Sequence, residues 1–313
     1  MKVSVCMGIY NGEKFIEKQL QTLYKQSRPA DEVILCDDCS TDDTVQIVKK
    51  FIADNGLDES WKLYLNTENK GYPGNFYYAM SLSTGDVVFP ADQDDVWLEN
   101  KIGDMLKVME SNPHIDVLAS RWGIMDAEDN VLKDISRGRI AKKETLREIT
   151  IKDILYCNDW PGMCMCYRKA VGEETIKRVN DAQVPHDIAL GMMAAEHGRF
   201  WCVSQVYQYH RRHEANVAME EHRASKLLNK KRKLLEIEIY LKWLEELEKS
   251  SLLESDKNKA IIRDKKMIME QRRNNLEKGR RLQMLKQYWH HRKDIRISTV
   301  LCDVLIAKGK ENE

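Results

Sequence analysis

Short apolar runs alternate with amphipathic stretches over the first hundred residues. Val3-Ser4-Val5-Cys6-Met7 is strand-like, and after the turn residues Asn11-Gly12 the apolar positions Phe15, Ile16, Leu20 and Leu23 recur at helical spacing until Pro29. Glu32-Val33-Ile34-Leu35-Cys36 restores the strand pattern. Val45, Ile47, Val48 and Phe51 then mark a second helix, with Ser40 or Thr41 expected as its N-cap. Trp61 to Leu65 and Val87-Val88-Phe89 read as two further strands. Strands alternating with helices predict βαβ units and an α/β domain with a mostly parallel central sheet, which binds ligands beyond the carboxyl ends of its strands.

From about Met219 the alternation stops. Proline is absent from there on, glycine is rare, and charges of both signs are dense, the pattern of long exposed helices. Leu227, Leu228, Leu234, Leu235, Ile239, Leu241, Leu244 and Leu247 form a stripe that Ser250-Ser251 interrupts, and a second helical stretch runs from about Asp256 to Leu285. The last piece, Tyr288 to Lys308, sets Trp289, Arg292, Lys293 and Arg296 beside Ile297, Leu301 and Leu305. It is too short to span a bilayer and suits a peripheral membrane contact, a homodimer contact or packing onto the chain's own core. The expected division is an α/β domain over 1–218, with halves 1–100 and 101–218, and an all-helical extension over 219–313.

Composition narrows the class. A chain of 313 residues with 42% hydrophobic content can hold one large α/β domain and an appendage. Its formal net charge of zero removes the simplest electrostatic case for nucleic acid as a partner. The N-terminus lacks the basic, apolar and small-residue order of a signal peptide, so a cytoplasmic location is expected. Among eight cysteines, Cys36 and Cys39 have C-x-x-C spacing, but no second pair completes a zinc set, and the cysteines are expected as small buried hydrophobes.

The densest chemical signal is Gly85 to Trp97, where an apolar strand runs into Asp92, Asp94 and Asp95. Residues i and i+2 past a strand end can share one side of the chain and converge on a hard cation, and Mg²⁺ or Mn²⁺ held by one or two carboxylates keeps positions open for phosphate oxygens. The competing reading is a polar turn before a helix, with Asp95 as its cap. Asp187, after Pro185, is either a helix cap or a general base, and its neighbour His186 competes for the second role.

Ala91 to Ile102, ADQDDVWLENKI, resembles the D-x-D region of family 2 glycosyltransferases, and more narrowly their rhamnosyltransferase-like branch. The resemblance runs from Lys2 to roughly Met219 and implies a GT-A type fold, a nucleotide-diphosphate-sugar donor bound in the first half and an acceptor bound in the second. It implies Asp92 on the nucleotide side and Asp94 on a Mn²⁺ or Mg²⁺ ion. Asp37 and Asp38, in DDCSTD, resemble the motif that holds the base and ribose; a helix N-cap is the alternative there. Gly8 to Gly12 resembles the first nucleotide loop, placing Tyr10 near the base with Asn11 beside it, although Ile9 stands where the family generally has Thr. Asn69-Lys70-Gly71 and Asn75-Phe76 match a loop near the diphosphate. Val184 to Asp187 resembles the start of the acceptor-side helix, making Asp187 the implied base. Trp160 to Met163 resembles the loop before it, where Trp160 is either a sugar platform or a core residue. Tyr209 to Val217 resembles a Y-R-x-H-x-x-N-V segment, which puts Arg211 on phosphate and His213 on the metal or the leaving diphosphate, with a solvated basic loop as the alternative.

The function implied is inverting, metal-dependent glycosyl transfer onto a glycan or lipid-linked glycan in surface polysaccharide synthesis, peripheral at the inner face of the cell membrane. dTDP-L-rhamnose leads as donor and a UDP-hexose follows. A sugar-nucleotide pyrophosphorylase would need a basic Gly-rich loop after the first strand, which Gly8 to Gly12 lacks. A non-catalytic assembly protein on a degenerate transferase fold is the other alternative.

Overall fold

The computed structural model describes residues 1–133, 146–157, 159–179, 184–213, 229–292, 295 and 297–307. The expected boundary at 218/219, Leu227, Leu228, Asn216-Val217, Lys293, Arg296 and Lys308 lie outside the described residues. The chain divides into two compact units, Met1–Arg212 and His213–Glu313.

In the first unit, β1 (Val3–Ile9) is buried along almost its whole length, as befits a parallel strand covered on both faces. It pairs in parallel with β2 (Glu32–Asp37) on one side and β4 (Val87–Ala91) on the other, and β2 pairs in parallel with β3 (Trp61–Leu65). The helices between them, α1 (Ile16–Tyr24), α2 (Thr44–Asp54) and α3 (Gly71–Leu82), complete the βαβ pattern. Ile16, Leu20 and Leu23 of α1 and Val48, Phe51 and Ile52 of α2 join Val5, Met7, Leu35 and Phe89 in one core. The fold thus gathers the ends of β1, β2 and β4, and the loops after them, along one edge.

Beyond β4 the sheet becomes mixed. Its order is β3-β2-β1-β4-β9-β6-β10-β5, with β7 (Val131–Lys133) on β6 and β8 (Leu146–Glu148) on β10. β9 (Met165–Arg168) runs antiparallel between β4 and β6 (Val117–Met125), while β10 (Phe200–Arg211) is parallel to β6 and antiparallel to the short β5 (Val96–Trp97). α4 (Lys101–Ser111), α5 (Ile151–Cys157), α6 (Lys169–Val179) and α7 (His186–Glu196) complete this unit.

Two capping expectations are corrected. Ser40 and Thr41 precede α2 without capping it; the side chain that accepts from its first-turn amide is Asp42, 3.1 Å from Thr44 N. Asp95 caps nothing: it is fully buried, and α4 begins six residues later after Asn100.

The second unit holds α8 (Lys230–Lys249), α9 (Asp256–Glu277), α10 (Arg281–His290) and α11 (Ile297–Ile306). α8 ends at Ser250. The expected second stretch is two helices, because Gly279 takes φ +60° and turns the chain between α9 and α10. Arg272 clasps the buried Asp303 through two hydrogen bonds of 2.6 and 3.0 Å, tying α9 to α11. No helix among the described residues is long and apolar enough to cross a membrane.

Candidate active site

The loop from β4 into β5 carries Asp92, Asp94 and Asp95, and β10 runs beside it. Asp95 is fully buried; its Oδ1 meets His210 Nδ1 at 3.0 Å and accepts from Arg211 N at 3.2 Å, while its Oδ2 has no hydrogen-bond partner. Burial, then the charges of Asp95 and Asp94, push Asp92 well above the usual carboxylate range. Desolvation opposes protonation of His210, yet the charge and hydrogen bond of Asp95 outweigh it and lift the imidazole to about 9. The loop is therefore an acidic cluster only partly offset by one imidazolium.

Asp187 belongs to a second acidic motif, on α7. It lies in the first turn of α7, with its Oδ1 2.8 Å from Ile188 N, and the Gly162 amide also donates to it. Burial raises its carboxyl to about 6 against those donors. Its charge acts on Asp92, and also on Tyr72 and Tyr77 of α3. On Asp92 that influence ranks below burial and the charges of Asp95, Asp94 and His210, and burial dominates the shift of Asp187 itself.

His186 goes the other way. It is 1% exposed, its ring stacks on Phe76 with centroids 4.0 Å apart, and neither ring nitrogen has a hydrogen-bond partner. Burial drives it down to about 3, so it is a neutral core residue and not the competing base. Gly162 makes room for it, since a Cβ there would lie 2.2 Å from His186 Nε2. Trp160 is likewise core, 5% exposed and set edge-on to Phe200 at 6.0 Å.

At the end of β2, Asp37 and Asp38 are both 3% exposed. Asp38 Oδ1 accepts from Asn66 Nδ2 and Lys70 N, each at 2.8 Å, and its Oδ2 accepts from Gly71 N at 2.9 Å. Most of its acceptor capacity is thereby filled, and its role is to fold the loop from β3 into α3. Asp37 keeps more in reserve: Oδ2 accepts from Ser40 N at 3.0 Å, whereas Oδ1 is buried without a partner. Tyr10 is half exposed at the mouth of β1. Asn11, at φ +47°, donates its amide to Ser40 Oγ at 2.9 Å and accepts from Thr41 N at 2.8 Å, locking the β1 and β2 loops together. Ile9 is 1% exposed, so the position that departs from the family pattern belongs to the core.

Two expected ligand contacts are corrected. Asn75 is buried, donating to Cys36 O at 2.8 Å and accepting from Asn66 at 2.9 Å, so it braces α3 against β2 and is not available to a diphosphate. Arg211 offers no fork to phosphate: its side chain is 2% exposed. Its Nε donates to Asp94 O at 2.8 Å, its Nη1 pairs with Asp129 at 2.5 Å, and the guanidinium lies 5.0 Å over Phe15. It staples the acidic loop to the turn after β6. His213 is half-buried and opens the second unit, and within the first unit His210 stands against Asp95.

Two residues were missed. The amide of Gln93 clamps Tyr10, accepting from its N at 2.9 Å and donating to its O at 2.8 Å, and packs where a Cβ on Gly12 would come within 2.5 Å. Its place inside the D-x-D was the available signal. Lys101 is fully buried, with Nζ 3.4 Å over the Trp97 ring and bonded to Met163 O, beside the Gly162 amide that holds Asp187. Burial lowers its ammonium to about 7. A single lysine in a charged stretch carried no sequence signal for this.

The donor set fits a hard divalent cation: crowded carboxylate oxygens whose mutual repulsion a metal would relieve. Among the described residues no three His, Cys, Asp or Glu side chains are grouped so as to hold a metal ion.

Comparison with known proteins identifies the family and the fold. Over residues 4–174 the chain matches the model of glycosyl transferase family 2. It is 38% identical over 120 residues to the Staphylococcus aureus poly(ribitol-phosphate) beta-N-acetylglucosaminyltransferase TarS, spanning 38% of this chain and 20% of that protein. It is 28% identical over 149 residues to the Escherichia coli UDP-Glc:alpha-D-GlcNAc-diphosphoundecaprenol beta-1,3-glucosyltransferase WfgD, spanning 48% of this chain and 56% of that one. The chain therefore covers between a fifth and about half of these relatives. Among solved structures, TarS 1-349 in complex with UDP-GlcNAc aligns with TM-score 0.61 at 22% identity over 98% of this chain and 91% of that one. A Pyrobaculum calidifontis mannosyltransferase, PcManGT, in complex with GDP-Man and Mn²⁺ aligns with TM-score 0.57 at 16% identity over 99% and 76%. The fold is of the GT-A type, and the chain belongs to glycosyl transferase family 2.

Proposed function

We propose that the protein is an inverting glycosyltransferase, moving a hexosyl group from a pyrimidine-nucleotide diphosphate to a hydroxyl of a glycan, free or lipid-linked. The observation that carries this is the presence of two acidic motifs in one unit, Asp92, Asp94 and Asp95 after β4 and a carboxyl raised by burial, Asp187, in the first turn of α7. Inversion needs one base on the acceptor side and one anchored leaving group on the other, and the two motifs supply those positions. Asp187 at about 6 is ionised at neutral pH yet more basic than an ordinary carboxylate, which suits it to take the acceptor's hydroxyl proton. Asp37 Oδ1 is the acceptor left for a base or ribose donor, with Tyr10 exposed beside the same loops. Asp94 would hold Mn²⁺ or Mg²⁺ with Asp92 beside it; the bound ion would offset charge on the departing diphosphate.

A UDP-hexose is the favoured donor, because WfgD is a UDP-Glc enzyme and TarS was solved with UDP-GlcNAc, against the one more distant neighbour named above that was solved with GDP-Man. dTDP-L-rhamnose, the donor implied by the rhamnosyltransferase-like resemblance, is the second. The WfgD acceptor is a diphosphoundecaprenol lipid, which supports work at the cytosolic membrane face. The test is a panel of UDP- and dTDP-sugars with a lipid-linked acceptor, products read by mass spectrometry, alongside nucleotide diphosphate titrations with and without Mn²⁺. Transfer of one sugar with Mn²⁺-dependent binding is expected. Tight nucleotide binding with no transfer to any acceptor would favour the assembly-protein reading instead.

A further inference from the structure

α10 and α11 carry apolar side chains on the face turned away from their own core. Met284 of α10, and Val300, Asp303 and Ile306 of α11, are the buried positions. Leu282, Leu285 and Trp289 are 76%, 46% and 67% exposed at i, i+3 and i+7, and Ile297, Leu301 and Leu305 are 58%, 52% and 56% exposed at i, i+4 and i+8. These spacings put each trio on one helix side, opposite the buried residues. Arg281 Nη2 donates to Ala307 O at 3.1 Å, joining the start of α10 to the end of α11. Scattered exposed leucines need no explanation, but two complete stripes on adjoining helices do.

The charges around the stripes favour one occupant. Lys278, Arg280, Arg281, Lys286 and Arg292 are all exposed, and residues 278–292 contain no acidic residue. Arg292 packs 5.2 Å over the Trp289 ring, the pairing of cation and interfacial aromatic that suits a headgroup layer. A second copy of the same face would bring like charges together, whereas an anionic bilayer attracts them. We propose that α10 and α11 form a membrane-docking face, laying Leu282, Leu285, Trp289, Ile297, Leu301 and Leu305 into the interface of an anionic lipid surface. The inference deepens the reading of a lipid-linked acceptor but does not depend on turnover.

The experiment is co-sedimentation of the full chain with vesicles of phosphatidylcholine alone and of phosphatidylcholine mixed with phosphatidylglycerol, at low and high salt. Binding to the anionic vesicles that weakens with salt is expected. Each of R280Q, R281Q and K286Q should weaken it about fivefold, the worth of one basic residue near such a surface. The pair Trp289→Ser and Leu301→Ser should reduce partition at least tenfold while melting and nucleotide binding stay unchanged, since both side chains are exposed. Failure of the unaltered chain to bind anionic vesicles overturns the proposal, as does a dimer in light scattering that the same pair abolishes. Because no donor is turned over, absence of catalysis would count against the proposed function alone.

Discussion

Acidic clusters stand at the carboxyl ends of β2 and β4, the strands flanking β1, and the chain treats them differently. After β2, Asp38 is wrapped by the amides of Lys70 and Gly71 and by Asn66, and its carboxylate builds a loop. After β4, Asp92 and Asp95 stand against Asp94 and one another, with His210 as the nearest offset, and Asp187 adds a lesser charge effect on Asp92. A carboxylate supplied with amide donors is scaffold. A crowd of carboxylates holds negative charge that a cation or a ligand would relieve, and this separates two motifs that look alike in sequence.

The sharpest way to break the comparison is Asp94→Asn. Turnover should fall to background with the fold intact, and Mn²⁺-dependent donor binding should weaken, because a neutral amide cannot replace an ionic ligand. Wild-type-like activity in this variant, or full activity in excess chelator, would sink the assignment.

Asp187→Asn should lower kcat by roughly two to four orders of magnitude with donor affinity nearly unchanged, and His186→Ala should do less in side-by-side kinetics. Wild-type kcat should decline as pH drops through about 6, where Asp187 takes up its proton. The stability consequence has the opposite sense. A carboxyl raised in the folded state favours folding at low pH, and that contribution is lost as pH rises through about 6. D187N should therefore melt above wild type at pH 8, with the gap closing toward pH 4; a variant less stable at pH 8 would contradict the burial argument.

Arg211→Ala tests scaffold against ligand directly. Removing a buried cation that holds Asp94 O and the half-exposed Asp129 should cost about 1–3 kcal/mol, seen as a lower Tm. A normal Tm with weaker donor affinity would restore the phosphate role. Similar in size is Asp38→Asn, which turns an amide toward the Lys70 and Gly71 N–H groups and should cost about 1–3 kcal/mol. Lost donor affinity at unchanged stability would show Asp38 to be a direct contact.

Much of the architecture was legible in the chain itself. The strands at Val3, Glu32, Trp61 and Val87 and the helices of Ile16 and Val48 follow from local periodicity, because a repeating apolar face reports which side of an element must leave water. The D-x-D was legible for a similar reason, since three carboxylates after an apolar strand are conspicuous in any context. What periodicity cannot report is the partner that arrives from elsewhere. Asp95 reads as a cap until β10 brings His210 and Arg211 against it, more than a hundred residues on. Arg211 reads as a phosphate fork until its guanidinium is found closed in by Asp94 O, Asp129 and Phe15. His186 and Asp187 are neighbours of similar promise, and only the packing of α7 turns one ring onto Phe76 and sets the next carboxylate on the amides of Ile188 and Gly162. Local sequence determined the elements and the chemical inventory; the tertiary structure decided which charges were given partners, because desolvation and hydrogen bonding depend on neighbours in space and not on neighbours in the chain.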